Sequence, residues 1–246
     1  MPTYNYRNLS WLDVSDNNFD GLLQENIGKM IPNLEYLNLS RNHFEGNLPS
    51  SIGDMIKLGK FDLSNNNFIG EVPTKLVYNC TDLVVLKLSN NKFHCEIFSQ
   101  RFLFFVNNSL HVLELNDNLF NGTLPATVST DRVMGLLDIS NNCLSGTIPN
   151  WLGDGSNLWY LDMSNNFFKG QMPCMSGHVL IDLSNNFLSG LLPSCSSFFY
   201  TQHLFLQGNK LRGSLPKDPF SSFRHSSRLV TLDIRDNRFS GTIPTT

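Results

Sequence analysis

No hydrophobic run in this chain of 246 residues is long enough to cross a membrane, although 41% of it is apolar. A spanning helix needs ~20 such residues in succession. The opening residues Met1-Pro-Thr-Tyr-Asn-Tyr-Arg7 contain no apolar stretch of the secretory kind. Charge of one sign is missing as well. A formal net charge of −3, with Lys and Arg scattered, provides no electrostatic case for nucleic acid. The six histidines, His43, His94, His111, His178, His203 and His225, are too dispersed to form a metal site. Cys174 and His178 share a segment, but no second ligand pair accompanies them.

What the chain does have is a phrase of the form Leu-Asp-Leu-Ser-Asn-Asn-x-Phe-x-Gly-x-x-Pro, repeated from end to end. Its marker asparagines are Asn17, Asn42, Asn66, Asn91, Asn118, Asn142, Asn166, Asn186, Asn209 and Asn237, which by subtraction lie 20 to 28 residues apart. This period, with L-x-x-L-x-L-x-x-N inside it, is the leucine-rich repeat signature and predicts a solenoid. In Leu34-Glu-Tyr-Leu37-Asn-Leu39-Ser-Arg-Asn42, Leu37 and Leu39 face one side of a short strand, with Tyr36, Asn38 and Ser40 on the other. One such strand is not stable alone. Stacked at ~4.8 Å it becomes a rung of a parallel sheet. The marker Asn is placed to satisfy backbone groups where the chain turns inward, so a column of them predicts a hydrogen-bonded ladder.

Beyond each marker, the pairs Phe44/Leu48, Phe68/Val72, Phe120/Leu124, Leu144/Ile148, Phe168/Met172, Leu188/Leu192, Leu211/Leu215 and Phe239/Ile243 are expected to fill the opposite wall. The 19 Phe are thus read as a spine and not as a cofactor cage. Repeat stability is a sum over neighbours, so residues 1–246 are expected to form one continuous domain. Three stretches are irregular: His94–Val106, with a short helix expected over Arg101–Val106; the compressed Met175–His178; and the expanded Pro219–His225. Neither end shows a capping unit, so the chain is expected to be truncated at both ends, an internal slice of a longer protein.

Leu144-Ser-Gly-Thr-Ile-Pro149 and Phe239-Ser-Gly-Thr-Ile-Pro244 resemble the plant subclass of leucine-rich repeats. His178-Val-Leu-Ile-Asp-Leu-Ser-Asn-Asn186 and Leu232-Asp-Ile-Arg-Asp-Asn-Arg-Phe-Ser-Gly241 resemble ectodomains of plant receptor-like proteins. The resemblance implies an α/β solenoid: a right-handed superhelix of about ten repeats, without caps, carrying a parallel β-sheet on its concave face. It also implies a protein- or peptide-recognition module outside the plasma membrane, acting in defence or development through a co-receptor kinase. Two alternatives stand beside it. One is a soluble wall protein resembling polygalacturonase inhibitors. The other is a truncated receptor gene product without a role of its own.

Six residues before the markers stand Trp11, Tyr36, Lys60, Val85, Val112, Leu136, Tyr160, Leu180, His203 and Thr231, an apolar and aromatic column on the solvent side. Two residues further on run Asp13, Asn38, Asp62, Lys87, Glu114, Asp138, Asp162, Asp182, Phe205 and Asp233. An apolar strip beside an acidic one suits an extended peptide with hydrophobic anchors and a basic residue. The bland alternative is that Leu-Asp-Leu-Ser is only the habit of the repeat. Candidate ligand contacts are Trp11, Tyr36, Lys60, Val85, Val112, Tyr160, Asp162, His203 and Phe205.

Sequons occur at Asn8, Asn38, Asn79, Asn107 and Asn121. A sugar on Asn38 would block the strand face locally. Of the five cysteines, Cys174 and Cys195 follow Gly-x-x-Pro marks in consecutive repeats, a separation compatible with a disulfide or with two small buried apolar residues. Cys80 and Cys95 are a weaker candidate pair, and Cys143 is expected to be free. No catalytic arrangement is found: there is no strand-to-helix nucleophile elbow, and the glycines are too far apart to cradle a phosphate. Asp pairs along the ladder have neither an enclosed cleft nor an evident means of raising one carboxyl's pKa. No cofactor or enzymatic activity is expected.

Overall fold

The computed structural model describes residues 6–98, 109–127, 134–153, 157–175, 177–193, 201–215 and 229–243. These form two compact units, one reaching Asn121 and including Met134, the other beginning at Gly122 and resuming at Gly135.

In the first unit, each repeat begins with a three-residue strand: β1 (Trp11–Asp13), β3 (Tyr36–Asn38), β5 (Lys60–Asp62), β7 (Val85–Lys87) and β9 (Val112–Glu114). Between these come β2 (Asp20–Leu22), β4 (His43–Asn47), β6 (Asn67–Gly70) and β8 (Lys92–Phe93). Both series are parallel ladders, since every coil pairs with the equivalent segment of the next. The middle residues Leu37, Phe61, Leu86 and Leu113 are fully buried, as the period-two alternation requires. The amides of Gly59 and Lys60 both donate to the Glu35 carbonyl, at 2.8 and 3.1 Å, which locks the start of one rung to the rung before it.

The turn that closes each rung has a second requirement. The residue before the marker Asn is left-handed, with φ of 54, 53, 57, 53 and 55° at Asp16, Arg41, Asn65, Asn90 and Asp117. Asn and Asp tolerate that region best among residues with a side chain, which accounts for the repeated Asn-Asn and Asp-Asn pairs. The marker follows. Asn66 donates from Nδ2 to the Leu39 carbonyl of the preceding coil at 2.9 Å, and its Oδ1 accepts the Phe44 amide at 3.0 Å. The ladder expected from the sequence therefore runs between Asn side chains and backbone. Behind it, the rings of Phe19, Phe44, Phe68, Phe93 and Phe120 stack with centroids 6.0 to 6.2 Å apart.

Among the described residues, the far wall of this unit carries only short helical turns, α1 (Ile27–Met30), a 3-10 turn (Ser50–Asp54) and α2 (Thr74–Asn79). They pack closely enough that a Cβ on Gly28 would lie 1.6 Å from the Ser51 carbonyl oxygen. Glycine is the residue that fits there. After the Gly-x-x-Pro mark too few residues remain per coil for longer helices, so helix content is lower than an α/β label suggests.

The second unit repeats the scheme. β10 (Asn121–Thr123) begins in the first unit and ends in this one. Its rungs are β11 (Leu136–Asp138), β13 (Tyr160–Asp162), β15 (Leu180–Asp182), β17 (His203–Phe205) and β19 (Thr231–Asp233). Alternating with them are β12 (Cys143–Thr147), β14 (Phe167–Gly170), β16 (Phe187–Gly190), β18 (Lys210–Gly213) and β20 (Arg238–Phe239), all parallel. Leu144, Phe168, Leu188 and Leu211 continue the inward series and are buried. Ile243, expected to face inward, is instead 82% exposed, because no further coil among the described residues lies over it. The helix expected over Arg101–Val106 and the insertion Pro219–His225 lie outside the described residues.

Candidate ligand-recognition face

In the first unit the register aligns Trp11, Tyr36, Lys60, Val85 and Val112 in one row, as the repeat spacing predicts. Trp11 and Tyr36 stack with centroids 3.6 Å apart and ring planes within 4°. Trp11 remains 60% exposed, an unusual state for an indole ring. The Tyr36 hydroxyl donates to Asp13 Oδ2 at 3.3 Å, and Asn38 Nδ2 donates to the same oxygen at 3.2 Å. The platform is therefore held by a polar network on the neighbouring column. Beside it opens a depression of about 570 Å³, bounded by Trp11, Tyr36 and Lys60. Further along, Lys87 Nζ and Glu114 Oε1 pair across adjacent rungs at 2.9 Å.

In the second unit Leu136, Tyr160, Leu180, His203 and Thr231 form the equivalent row, with Asp138, Asp162, Asp182, Phe205 and Asp233 beside it. His203 lies parallel to Phe205 with centroids 6.4 Å apart, and its Nδ1 is 3.1 Å from Thr231 Oγ1. Trp159, which the sequence columns leave out, stands edge-on to Tyr160 at 6.0 Å and is 50% exposed. Its signal was the aromatic doublet Trp159-Tyr160, one position before the column.

The acidic column has a structural task. Asp62, Asp138, Asp162 and Asp182 each accept, through Oδ1, the amide of the serine two residues on, at 2.8 to 3.0 Å. These are Asx-type turns that end the rung. Asn38 does the same for Ser40 at 3.0 Å, so a neutral amide suffices. Lys87, Glu114 and Phe205 break the rule, and their side chains serve other contacts.

One expectation is overturned. The ladder does raise a carboxyl's pKa: Asp162 is pushed up to about 6. Burial is the main cause, opposed by its bonds to Ser164 and reinforced by Asp138 and Asp182 on the adjacent rungs. Asp13 moves the other way, held below the usual carboxylate range chiefly by hydrogen bonds from Ser15.

Comparison with known proteins agrees with this architecture. The Leucine Rich Repeat family model matches residues 8–30, 33–55, 136–154 and 228–246. Receptor-like protein 9b of Arabidopsis thaliana is 41% identical over 122 residues, 50% of this chain and 13% of that protein. Cuscuta receptor 1 of Solanum lycopersicum is 43% identical over 129 residues, 52% of this chain and 11% of that protein. Over these segments the chain carries leucine-rich repeats and is similar to plant receptor-like proteins. Among solved structures, the Arabidopsis receptor kinase HAESA in complex with the peptide hormone IDA and the co-receptor SERK1 matches with a TM-score of 0.79 at 31% identity. That match covers 98% of this chain and 44% of the solved HAESA chain, so this chain spans less than half the length of each relative named.

The sequons of the chain differ in setting. Asn8 and Asn121 are exposed, and Asn79 is exposed with its Nδ2 donating to the Gly53 carbonyl at 3.0 Å. Asn38 is half-buried and its amide is engaged on the strand face. Asn107 lies outside the described residues. Cys80 and Cys95 do not pair; both are free, as is the exposed Cys143. The Cys80 sulfur lies 3.4 Å from the Met55 carbonyl in the preceding coil, and burial pushes its thiol up to about 12. Cys95 is directed elsewhere, near the backbone of Val72, and its thiol is also raised by burial. Cys174 is in a disulfide, and Cys195, its expected partner, lies outside the described residues.

Proposed function

We propose that this chain is the peptide- or protein-recognition part of a plant cell-surface receptor-like protein. It works on the extracellular side and signals in defence or development through a partner kinase. The observation that carries the proposal is the in-register row of exposed and half-exposed apolar residues in each unit, anchored by the Trp11–Tyr36 stack in the first and by Tyr160 in the second. Aromatic side chains in such rows dominate interface energies once a partner excludes water. HAESA, bound to a peptide hormone and to SERK1, supports extending ligand and co-receptor binding to this chain. Glycans on Asn8 and Asn121 would leave the strand face clear, consistent with an extracellular setting.

The test is selection of peptides from a random extended-peptide library on the wild-type chain. The selected peptides are then titrated against the pair variants Trp11→Ala/Tyr36→Ala and Tyr160→Ala/His203→Ala. Loss of about tenfold or more in affinity in at least one pair variant is expected, equal to ~1.4 kcal/mol. Undiminished affinity in both would remove the strand face as the binding surface.

A further inference from the structure

The depression beside the Trp11–Tyr36 stack has a floor that the fold does not explain. Gly59 is part of its lining, together with Lys57 and Lys60. A Cβ built on Gly59 would meet only the carbonyl oxygens of Glu35 and Asp82, at 3.6 and 3.7 Å, which is ordinary contact. Its backbone is not left-handed. The neighbouring rungs carry Glu35 and Val84 at the equivalent position, one residue before the strand, so the scaffold accepts a side chain there. What glycine does at this place is leave a gap between Glu35 and Val84, as Gly135 does at the same position of the second unit.

The lining of the gap is chemically specific. Lys57 and Lys60 line it from the middle coil, and neither takes part in an ion pair among the described residues. Glu35 and Asp82 line the depression from the rungs on either side, only ~4.8 Å away along the stack. Two lysines without an ion-pair partner among the described residues can together attract an anion. The flanking carboxylates limit it to one compact charge and repel a polyanion. The adjoining wall is aromatic, with the Trp11 ring open to solvent.

We infer that this depression is the specificity pocket of the recognition face, receiving an aromatic side chain of the peptide ligand against Trp11 and Tyr36 and an adjacent Asp or Glu carboxylate between Lys57 and Lys60. The inference rests on the strand-face proposal above and adds to it the ligand chemistry and two residues, Lys57 and Gly59, that set it together with Lys60. The apolar row explains general attraction of peptides. The pocket explains discrimination among them.

The probes are short synthetic peptides of one Gly/Ser frame carrying a central Phe-Asp, Phe-Lys or Ser-Asp pair. Binding to the whole chain is followed by ligand-observed NMR, which suits weak complexes. The wild type is expected to bind the Phe-Asp peptide about tenfold more tightly than either of the others. Gly59→Leu, which fills the gap, should abolish that preference without shifting the thermal midpoint appreciably. Lys57→Gln/Lys60→Gln should erase discrimination between Phe-Asp and Phe-Lys while keeping that between Phe-Asp and Ser-Asp, and so provides a second arm if Gly59→Leu fails to fold. Equal binding of the three peptides, or a preference that survives both variants, overturns the pocket. If library-selected peptides lose affinity in the strand-face pair variants yet ignore Gly59→Leu and Lys57→Gln/Lys60→Gln, the face stands and the pocket alone falls.

Discussion

The amide of Phe44 donates to Oδ1 of Asn66, one coil further on, at 3.0 Å. The same side chain donates from Nδ2 to the Leu39, Leu63 and Ser64 carbonyls at 2.9, 3.1 and 3.3 Å. A single buried amide thus ties two coils together where the chain leaves the strand and cannot pair in the sheet.

Asn66→Ala should therefore cost about 2–4 kcal/mol, because it strands a backbone amide and carbonyls that are shut off from water. Asn17→Ala should cost less, since Asn17 is exposed. Urea denaturation of both variants measures the difference, and equal losses would contradict the account of the ladder.

The left-handed residue before each marker makes a separate prediction. Asn90 has φ of 53°, where a β-branched side chain is strained. Asn90→Val should destabilise by about 1–2 kcal/mol, while Asn90→Gly should be close to neutral. Thermal melts of the two variants distinguish backbone strain from a side-chain role, because a side-chain role would make the glycine variant as weak as the valine one.

Asp162 links stability to pH. Its folded pKa is raised from 3.8 to about 6, so folding favours the protonated form. Below about pH 4 the group is protonated in both states and costs nothing. As pH rises toward and through 6 the native state must hold a buried carboxylate, and stability falls by up to about 3 kcal/mol. Asp162→Asn keeps the turn, as Asn38 does with Ser40, and should be more stable than wild type at pH 7.5 but not at pH 4. The same dependence on pH in both proteins would argue against a shielded Asp162.

Thiol chemistry tests the cysteine assignments. In the native chain Cys143 should react at once with a disulfide reagent, Cys95 slowly, and Cys80 hardly at all, given its burial and raised pKa. Denaturation without reductant should release three thiols in total, with Cys174 and Cys195 silent. A total of five would exclude the disulfide.

The alignment of the candidate face was legible in the sequence. Trp11, Tyr36, Lys60, Val85 and Val112 could be placed in one row because stacking by whole repeats puts equal positions opposite each other. What an unbroken Asp-x-Ser pattern could not reveal was which carboxylates close turns and which one is shielded. Asp13 and Asp162 occupy the same repeat position, yet their pKa values move in opposite directions. Likewise, the spacing of Cys80 and Cys95 suggested a pair, but their sulfurs point at different parts of the coils.

The sequence by itself determined the repeat, the inward and outward alternation and the residues sharing each column, because these follow from a periodic chain that must bury one face of every rung. Only the tertiary structure decided the stack of Trp11 on Tyr36, the gap at Gly59 and the burial of Asp162. Those depend on the shapes and charges of side chains one coil away, distant along the chain but only a strand's width apart in space.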